Sequence, residues 1–433
     1  MQLRSHEHAA LQRGNGMAHA GEFGRRELIK GSLALGGLAS LPGCASTVAG
    51  APRSASSSGG PLLVPMRISV NELIDIKCCI RPFRPQGCRL DAEQIGDTLV
   101  IHNYGHGGSG WSLSWGSAEI AVGKAMSVVP KEIAVVGCGI VGLTAAIQAQ
   151  RAGLKVTIYA REMFPRTRSV RANGSWTPSS RIALTEPAGP AFAALWEQMA
   201  RISWKNFRSF LGLPGQPVEF STSYGLSDNP PRSRAEQHRL DPAIKDSYAT
   251  TGMPQQKGEF ADYDELIKDV IPQSVDVPAD ENPFGTAYCR SNERMYFNFA
   301  SYGHLLLSEF FQMGGKFEQR DFHSPADITA LREKVVINCP GYAARDLWRD
   351  KTIIPVRGQT GWLVPQPEAH YGVSYKNVSL LSKSDGVMIM HTSADLGDME
   401  GVGNSMELPD RNAILEGIAK VAPVFARMKG GRA

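Results

Sequence analysis

No two of the seven cysteines in this 433-residue chain stand in a CxxC spacing, and no set of Cys and His has the spacing of a zinc site. Those absences exclude a dithiol redox motif and a zinc ribbon. No apolar run reaches the roughly 20 residues that a bilayer-crossing helix needs, so a membrane attachment has to use something other than a spanning helix. Neither sign of charge is in excess: 46 Lys and Arg face 42 Asp and Glu, for a net charge of +4. Residues 1–43 hold five of the basic groups against three Glu, so the rest of the chain stands at +2, which gives no basis for a nucleic-acid partner. No segment repeats internally. What is present is ordinary globular composition, 42% hydrophobic and 20% charged, in enough length for one large core or two domains.

The first 44 residues read as an address. GRRELIKGSLALGGLASLPGCAS, from Gly24, has the twin arginines Arg25 and Arg26, a short apolar stretch over 33–41, and LPGC ending at Cys44. It resembles a twin-arginine export signal joined to a lipoprotein cleavage box, with Pro42 a departure from the usual box. The expectation is export to the periplasm or cell envelope, with membrane association through a lipid on Cys44. The other six cysteines, Cys78, Cys79, Cys88, Cys138, Cys289 and Cys339, are expected as buried structural thiols.

Residues 45–66, rich in Ser, Gly and Pro, read as a linker. The folded body begins near Arg67. A strand over 99–103 leads through a glycine-rich turn into helical spacing, and after Pro130 come a strand (133–136), a helix (140–152) and a second strand (155–159), a βαβ unit. Helices are expected over 192–211, 302–313 and 411–420, a central strand over 334–341, and a polar surface insertion or lid over 227–263.

Gly137, Gly139 and Gly142 form a GxGxxG at the strand-to-helix junction. Such a loop turns tightly, lets the backbone approach a pyrophosphate, and turns the N–H groups of the first helical residues, Ile140 and Val141, toward the anion. The motif alone leaves the dinucleotide open. Ala160 occupies the position expected for an acid, and the following Arg161 and Glu162 suit an NADP site as well as a flavin site. His102 and His106 are four apart, but the glycines between and after them argue against the helix that a metal pair would need.

Two long segments carry a family resemblance. CIRPFRPQGCRLDAEQIGDTLVIHNYGHGGSGWSLSWGSA (79–118) resembles the C-terminal end of the D-amino acid oxidases, and KEIAVVGCGIVGLTAAIQAQRAGLKVTIYARE (131–162) resembles the segment with which they begin. The order is reversed here, so the chain reads as a circularly permuted member. RANGSWTP (171–178), NCPG (338–341) and PVRGQ (355–359) match further family segments.

The resemblance implies an α/β fold: an FAD-binding Rossmann-like domain, with a second antiparallel-sheet substrate domain, in permuted order. The implied segments are 67–189 and 300–358 for the cofactor domain, and 190–299 and 359–433 for the substrate domain. It implies FAD contacts at Gly137, Gly139, Ile140, Val141, Gly142, Arg161, Glu162, Gly174, Ser175, Trp176 and Phe322, and along the glycine-rich turn at Gly107, Gly108, Ser109, Gly110, Trp111 and Ser112. Arg81 aligns with the arginine that holds the substrate carboxylate, and the Gly108 carbonyl with the group that orients the amine. The implied reaction is oxidative deamination of D-amino acids with oxygen as acceptor. Two tyrosines of the family fall on Lys376 and Leu380 in this chain, Tyr375 is one place off, and Tyr224 resembles a lid position. That departure keeps open a flavin dehydrogenase passing electrons to a membrane acceptor, and an inactive flavin-binding lipoprotein.

Overall fold

The computed structural model describes residues 63–230, 260–394, 396 and 399–428. The expected signal with Arg25, Arg26 and Cys44, nearly all of the linker, and the middle of the polar stretch lie outside the described residues.

Two sheets organise the described residues, and each arises from its own sequence pattern. The first has strand order β2-β3-β10-β4-β5-β9. Its members are β2 (Ala92–Ile95), β3 (Thr98–His102), β4 (Glu132–Val136), β5 (Lys155–Ala160), β9 (Lys316–Gln319) and β10 (Val335–Asn338). From β3 to β9 all pairings are parallel, and only β2 joins as an antiparallel hairpin. The central strands are apolar almost throughout and buried, as expected where both faces of a parallel sheet are covered. Helices α1 (Ser114–Ala125) and α2 (Ile140–Arg151) pack on each other and against this sheet.

The second sheet runs β1-β11-β14-β13-β12-β6-β8-β7. Its strands are β1 (Leu73–Phe83), β6 (Val218–Ser227), β7 (Val275–Asp276), β8 (Tyr288–Phe297), β11 (Ile354–Leu363), β12 (Gly372–Tyr375), β13 (Val378–Lys383) and β14 (Gly386–His391). Two expectations are corrected here. The sheet is mixed rather than antiparallel, because β12 pairs with β6 in parallel: the chain reaches β12 from β11, so no hairpin to β6 imposes the opposite direction. And β1, with the first half of β11, belongs to this sheet and not to the cofactor half, since β1 pairs with β11 along its length, Cys79 opposite Gly358 and Arg81 opposite Val356. Which sheet a strand joins depends on its partner, and its own residues do not encode that.

Helix α3 (Thr185–Arg208) is broken at Gly189 (φ +66°, ψ 178°), so its long arm begins at Pro190, close to the expected start, and α4 (Phe299–Gln312) also lies close to expectation. The last helix, α5 (Arg411–Ala426), runs six residues beyond the expected Lys420 and continues through Pro423. Ile414, Ile418, Val421 and Phe425 fall on one face, and their burial over the second sheet offsets the hydrogen bond that proline removes. Asp410 caps the helix, its side chain accepting from the N–H groups of Asn412 and Ala413. Near this helix the two described ends of the chain meet: Tyr371 Oη donates to the Val64 carbonyl at 2.8 Å and lies 3.8 Å from Met428 Sδ. The six cysteines from Cys78 to Cys339 are buried free thiols.

Candidate active site

The phosphate-loop geometry follows from its glycines. Gly137 has φ +99°, and a Cβ on Gly142 would stand 2.0 Å from the Gly137 carbonyl oxygen, so the first turn of α2 packs against the loop only with glycine there. A short turn over Arg168–Arg171 sits above it. Ser169 Oγ accepts from Ile140 N at 2.9 Å, and Trp111 Nε1 donates to the Ser169 carbonyl at 2.8 Å.

A cavity of about 410 Å³ opens along this loop. Gly137, Gly139, Ile140, Val141 and Gly142 form one wall, with Arg161, Glu162 and Phe322 toward the ends of β5 and β9. The glycine-rich turn adds Gly107, Gly108, Gly110 and Trp111, and β1 contributes Arg81. Five other expected contacts stand back from the wall. Ser109 Oγ donates to the Ser180 carbonyl at 3.0 Å and Ser112 Oγ accepts from Thr177 N at 2.8 Å, so these serines hold the neighbouring loop in place. Ser175 forms a bridge with Tyr296, Gly174 accepts from Phe297 N at 2.8 Å, and Trp176 packs on Trp204 and Phe207. From that segment it is Ala172, Asn173 and Thr177 that reach the cavity.

Arg81 is half-buried, and its guanidinium lies flat on Gly358, where an added Cβ would fall 2.5 Å from Nη2. It donates to the Arg357 carbonyl at 3.3 Å, and among the described residues no carboxylate comes within ion-pair distance of it. The two other arginines beside it are paired: Arg168 and Arg171 share Glu407, at 2.6 and 2.7 Å. Burial pushes the neighbouring Cys79 thiol up, against the opposing pull of Arg81 and Arg171.

Several functional positions carried no local signal. Thr360 and Met390 reach the cavity from β11 and β14. Glu407 arrives from the segment before α5. Lys383, whose side chain is fully buried, donates to the Phe297 carbonyl at 2.9 Å, pairs with Asp385 at 3.0 Å and lies over the rings of Phe299 and Trp362. Through Phe297 it supports Gly174 and the loop that follows. Asn103, His106 and Thr167 line the cavity, are buried, and have side-chain polar atoms with no hydrogen-bond partner. The fit to a dinucleotide rests on the phosphate loop, where Gly137, Gly139 and Gly142 leave bare backbone along the cavity wall.

The reading of Tyr224 as a lid position is corrected. Tyr224 is a core residue packed on Phe284 and Tyr371, not a lid. Tyr375 donates to Asp228 at 2.7 Å, Lys376 pairs with the same carboxylate at 3.2 Å, and Leu380 is fully buried in the second core. None of the four lines the cavity: Tyr224 lies on β6, Tyr375 and Leu380 on β12 and β13, and Lys376 in the turn between those two. His102 bonds Glu93 and Asn338, and no cluster of metal-ligating side chains occurs among the described residues.

Comparison with known proteins adds the following. A family model described as FAD dependent oxidoreductase matches residues 132–433. D-amino-acid oxidase of Streptomyces coelicolor is 26% identical over 231 residues, 53% of this chain and 58% of its own length. D-amino-acid oxidase of Rubrobacter xylanophilus is 45% identical over 60 residues, 14% of this chain and 18% of its own. D-aspartate oxidase of Cryptococcus neoformans is 52% identical over 52 residues, 12% and 13% respectively. The chain thus spans between 13 and 58% of the length of these relatives. Among solved structures, iminodiacetate oxidase from Chelativorans sp. BNC1 is 16% identical with a TM-score of 0.44, over 69% of this chain and 80% of that one.

Proposed function

Because this chain belongs to the FAD-dependent oxidoreductase family, whose model it matches over residues 132–433, we propose that it catalyses the oxidative deamination of D-amino acids. FAD, when bound, supplies the acceptor for the two electrons and the hydrogen leaving the α-carbon. In the reaction the amino acid becomes an imino acid, which takes up water to give a 2-oxo acid and ammonia, while oxygen is reduced to hydrogen peroxide.

The residues divide the remaining work. Gly137, Gly139 and Gly142, with the N–H groups of the first turn of α2 beyond that of Ile140, which donates to Ser169 Oγ, would hold the pyrophosphate, and Arg161 and Glu162 would lie toward the adenosine end. The Gly107–Gly110 turn would border the bound cofactor; its Gly108 and Ser109 N–H groups donate to the Ser180 and His106 carbonyls at 2.9 Å, which fixes the shape of the turn. Arg81 takes the substrate carboxylate in its planar fork, and the Gly108 carbonyl orients the amine. The observation that carries this reading is the cavity-lining guanidinium of Arg81, which no described carboxylate neutralises.

Anaerobic mixing with a panel of D-amino acids tests it. Bleaching of the flavin by a D-amino acid, reversed by air, is the expected result. Bleaching that air leaves unchanged points to another electron acceptor, and a flavin bleached by no amino acid ends the reading.

The permuted order belongs to the same proposal: the family model begins at residue 132, yet Arg81 and the glycine-rich turn lie ahead of it in the chain and line the same cavity. Export and lipidation are proposed from Arg25, Arg26 and Cys44. Cys44→Ser should release the exported protein from membranes; unchanged membrane association would refute the anchor.

A further inference from the structure

Arg81 projects from one face of the second sheet, and the pairing of the strands fixes which side chains share that face. Cys79 is opposite Gly358 and Lys77 opposite Thr360 along β1 and β11, and Trp362 on β11 is opposite Met388 on β14. Side chains alternate along a strand, so Arg81, Cys79, Thr360 and Met390 all stand on this face. The cores agree. Trp362 and Met388 are buried in the core shared with the first sheet, with Met390 packed against it, whereas their neighbours Leu363 and Ile389 join the core that α5 covers. Arg81, Cys79, Thr360 and Met390 all line the cavity.

From Arg81 this face stays on the cavity in one direction only. On one side Phe83, whose backbone bridges His106, and Val356 pack with Leu184 and Ile354, and neither lines the cavity. On the other the guanidinium lies on Gly358, and Thr360 follows two residues later, about 7 Å along the strand. Thr360 Oγ1 accepts from Trp362 Nε1 at 3.1 Å, and Met390 is a half-buried thioether. The nearby cations are engaged elsewhere: Lys77 lies 4.4 Å over the Trp362 ring and stays off the cavity, and Arg171, which reaches the Cys78 carbonyl, is paired with Glu407 at 2.7 Å. A carboxylate held by Arg81 therefore has an uncharged floor beside it, a few methylenes long, for whatever its α-carbon carries. We propose that Thr360 and Met390 form the subsite for the substrate's side chain and select D-amino acids whose uncharged side chain is long enough to reach them. This rests on the oxidative deamination proposed above and adds to it the class of amino acid.

Two series on the FAD-loaded protein test it. Straight-chain carboxylates from acetate to hexanoate need no turnover, and their affinity is read from the change they cause in flavin absorption. In wild type it should rise about threefold for each added methylene, the scale of burying one. In Met390→Ala the hexanoate-to-acetate affinity ratio should fall about tenfold, because the surface that receives the chain end is removed. The kcat/KM ratio of D-norleucine to D-alanine should fall by a similar factor. Met390→Lys should raise the kcat/KM ratio of D-glutamate to D-glutamine about tenfold, since the two differ at the chain end only in charge. A wild-type affinity that is flat along the carboxylate series, or a ratio unchanged in Met390→Ala, would overturn the subsite. So would a wild type that prefers D-glutamate to D-glutamine, and so would loss of FAD by Met390→Ala with the ratios unchanged, which places the residue against the cofactor. A carboxylate ratio that responds to Met390 in a protein whose flavin no D-amino acid bleaches would end the oxidase reading and still support the subsite.

Discussion

Arg81 and His106 both belong to the wall of the cavity and have opposite electrical characters. The guanidinium stays charged at every working pH, so its contribution is a fixed positive site for a carboxylate. Arg81→Ala should leave FAD content unchanged and cost about 2–5 kcal/mol of substrate binding, measured as the apparent affinity for the best D-amino acid. Unaltered affinity would remove Arg81 from the role. His106 is neutral in the fold, whereas in the unfolded chain an imidazole takes up its proton near pH 6.5. Below that pH the unfolded state binds a proton that the folded state does not, so stability falls as pH drops from about 6.5 toward about 4. In urea unfolding, the loss between pH 7 and 4.5 should be about 2 kcal/mol smaller in His106→Gln than in wild type; equal losses would show that the imidazole is not buried neutral. The sequence made Arg81 legible through RPFRP and the phosphate loop through its glycine spacing. It left His106 as half of an unpersuasive metal pair, because a buried orphan is defined by what surrounds it, and the Phe83 bridge and the cavity wall are not local properties.

At the level of elements, the cavity is built by segments that meet from distant parts of the chain. The stretch 399–410 is tied to segments that line the cavity: Arg357 donates to the Met406 and Leu408 carbonyls at 3.1 and 2.7 Å, Gln359 exchanges bonds with Asp410, and Glu407 holds Arg168 and Arg171. Lys383 supports the loop around Gly174 from within the second sheet, through Phe297. Removing the cation there leaves Asp385, itself mostly buried, without a counter-charge and with only the Phe299 N–H, at 3.0 Å, as a donor. Lys383→Met should therefore destabilise the protein by about 3–5 kcal/mol in chemical denaturation, and adding Asp385→Asn should recover a large part of that loss. A single variant as stable as wild type would show the pair to be dispensable. The βαβ opening and most helices could be read from periodicity, since each buries a face whose spacing is its own signature. The parallel β6–β12 pair, the sheet to which β1 belongs, and the continuation of α5 through Pro423 could not, because tertiary burial decides each of them.

Over the whole molecule, the meeting of Val64 and Met428 at one tyrosine hydroxyl bears on the proposed permutation. Moving residues 68–130 behind Ala433 through a short Gly/Ser linker, with the chain starting at Lys131, should give a soluble protein that still binds FAD, because the buried contacts are retained while the chain order changes. An insoluble or FAD-free product would count against it. The buried thiols have a different consequence. All six described cysteines are buried, so uptake of a thiol reagent by those away from the cavity is a clock for spontaneous opening. Cys138 and Cys339 flank the phosphate loop on the cofactor cavity, whereas Cys289 belongs to the core of the second sheet. Mapping which of them is labelled first turns these side chains into a two-channel recorder, one channel slowed directly by bound FAD and the other reporting how far that protection spreads.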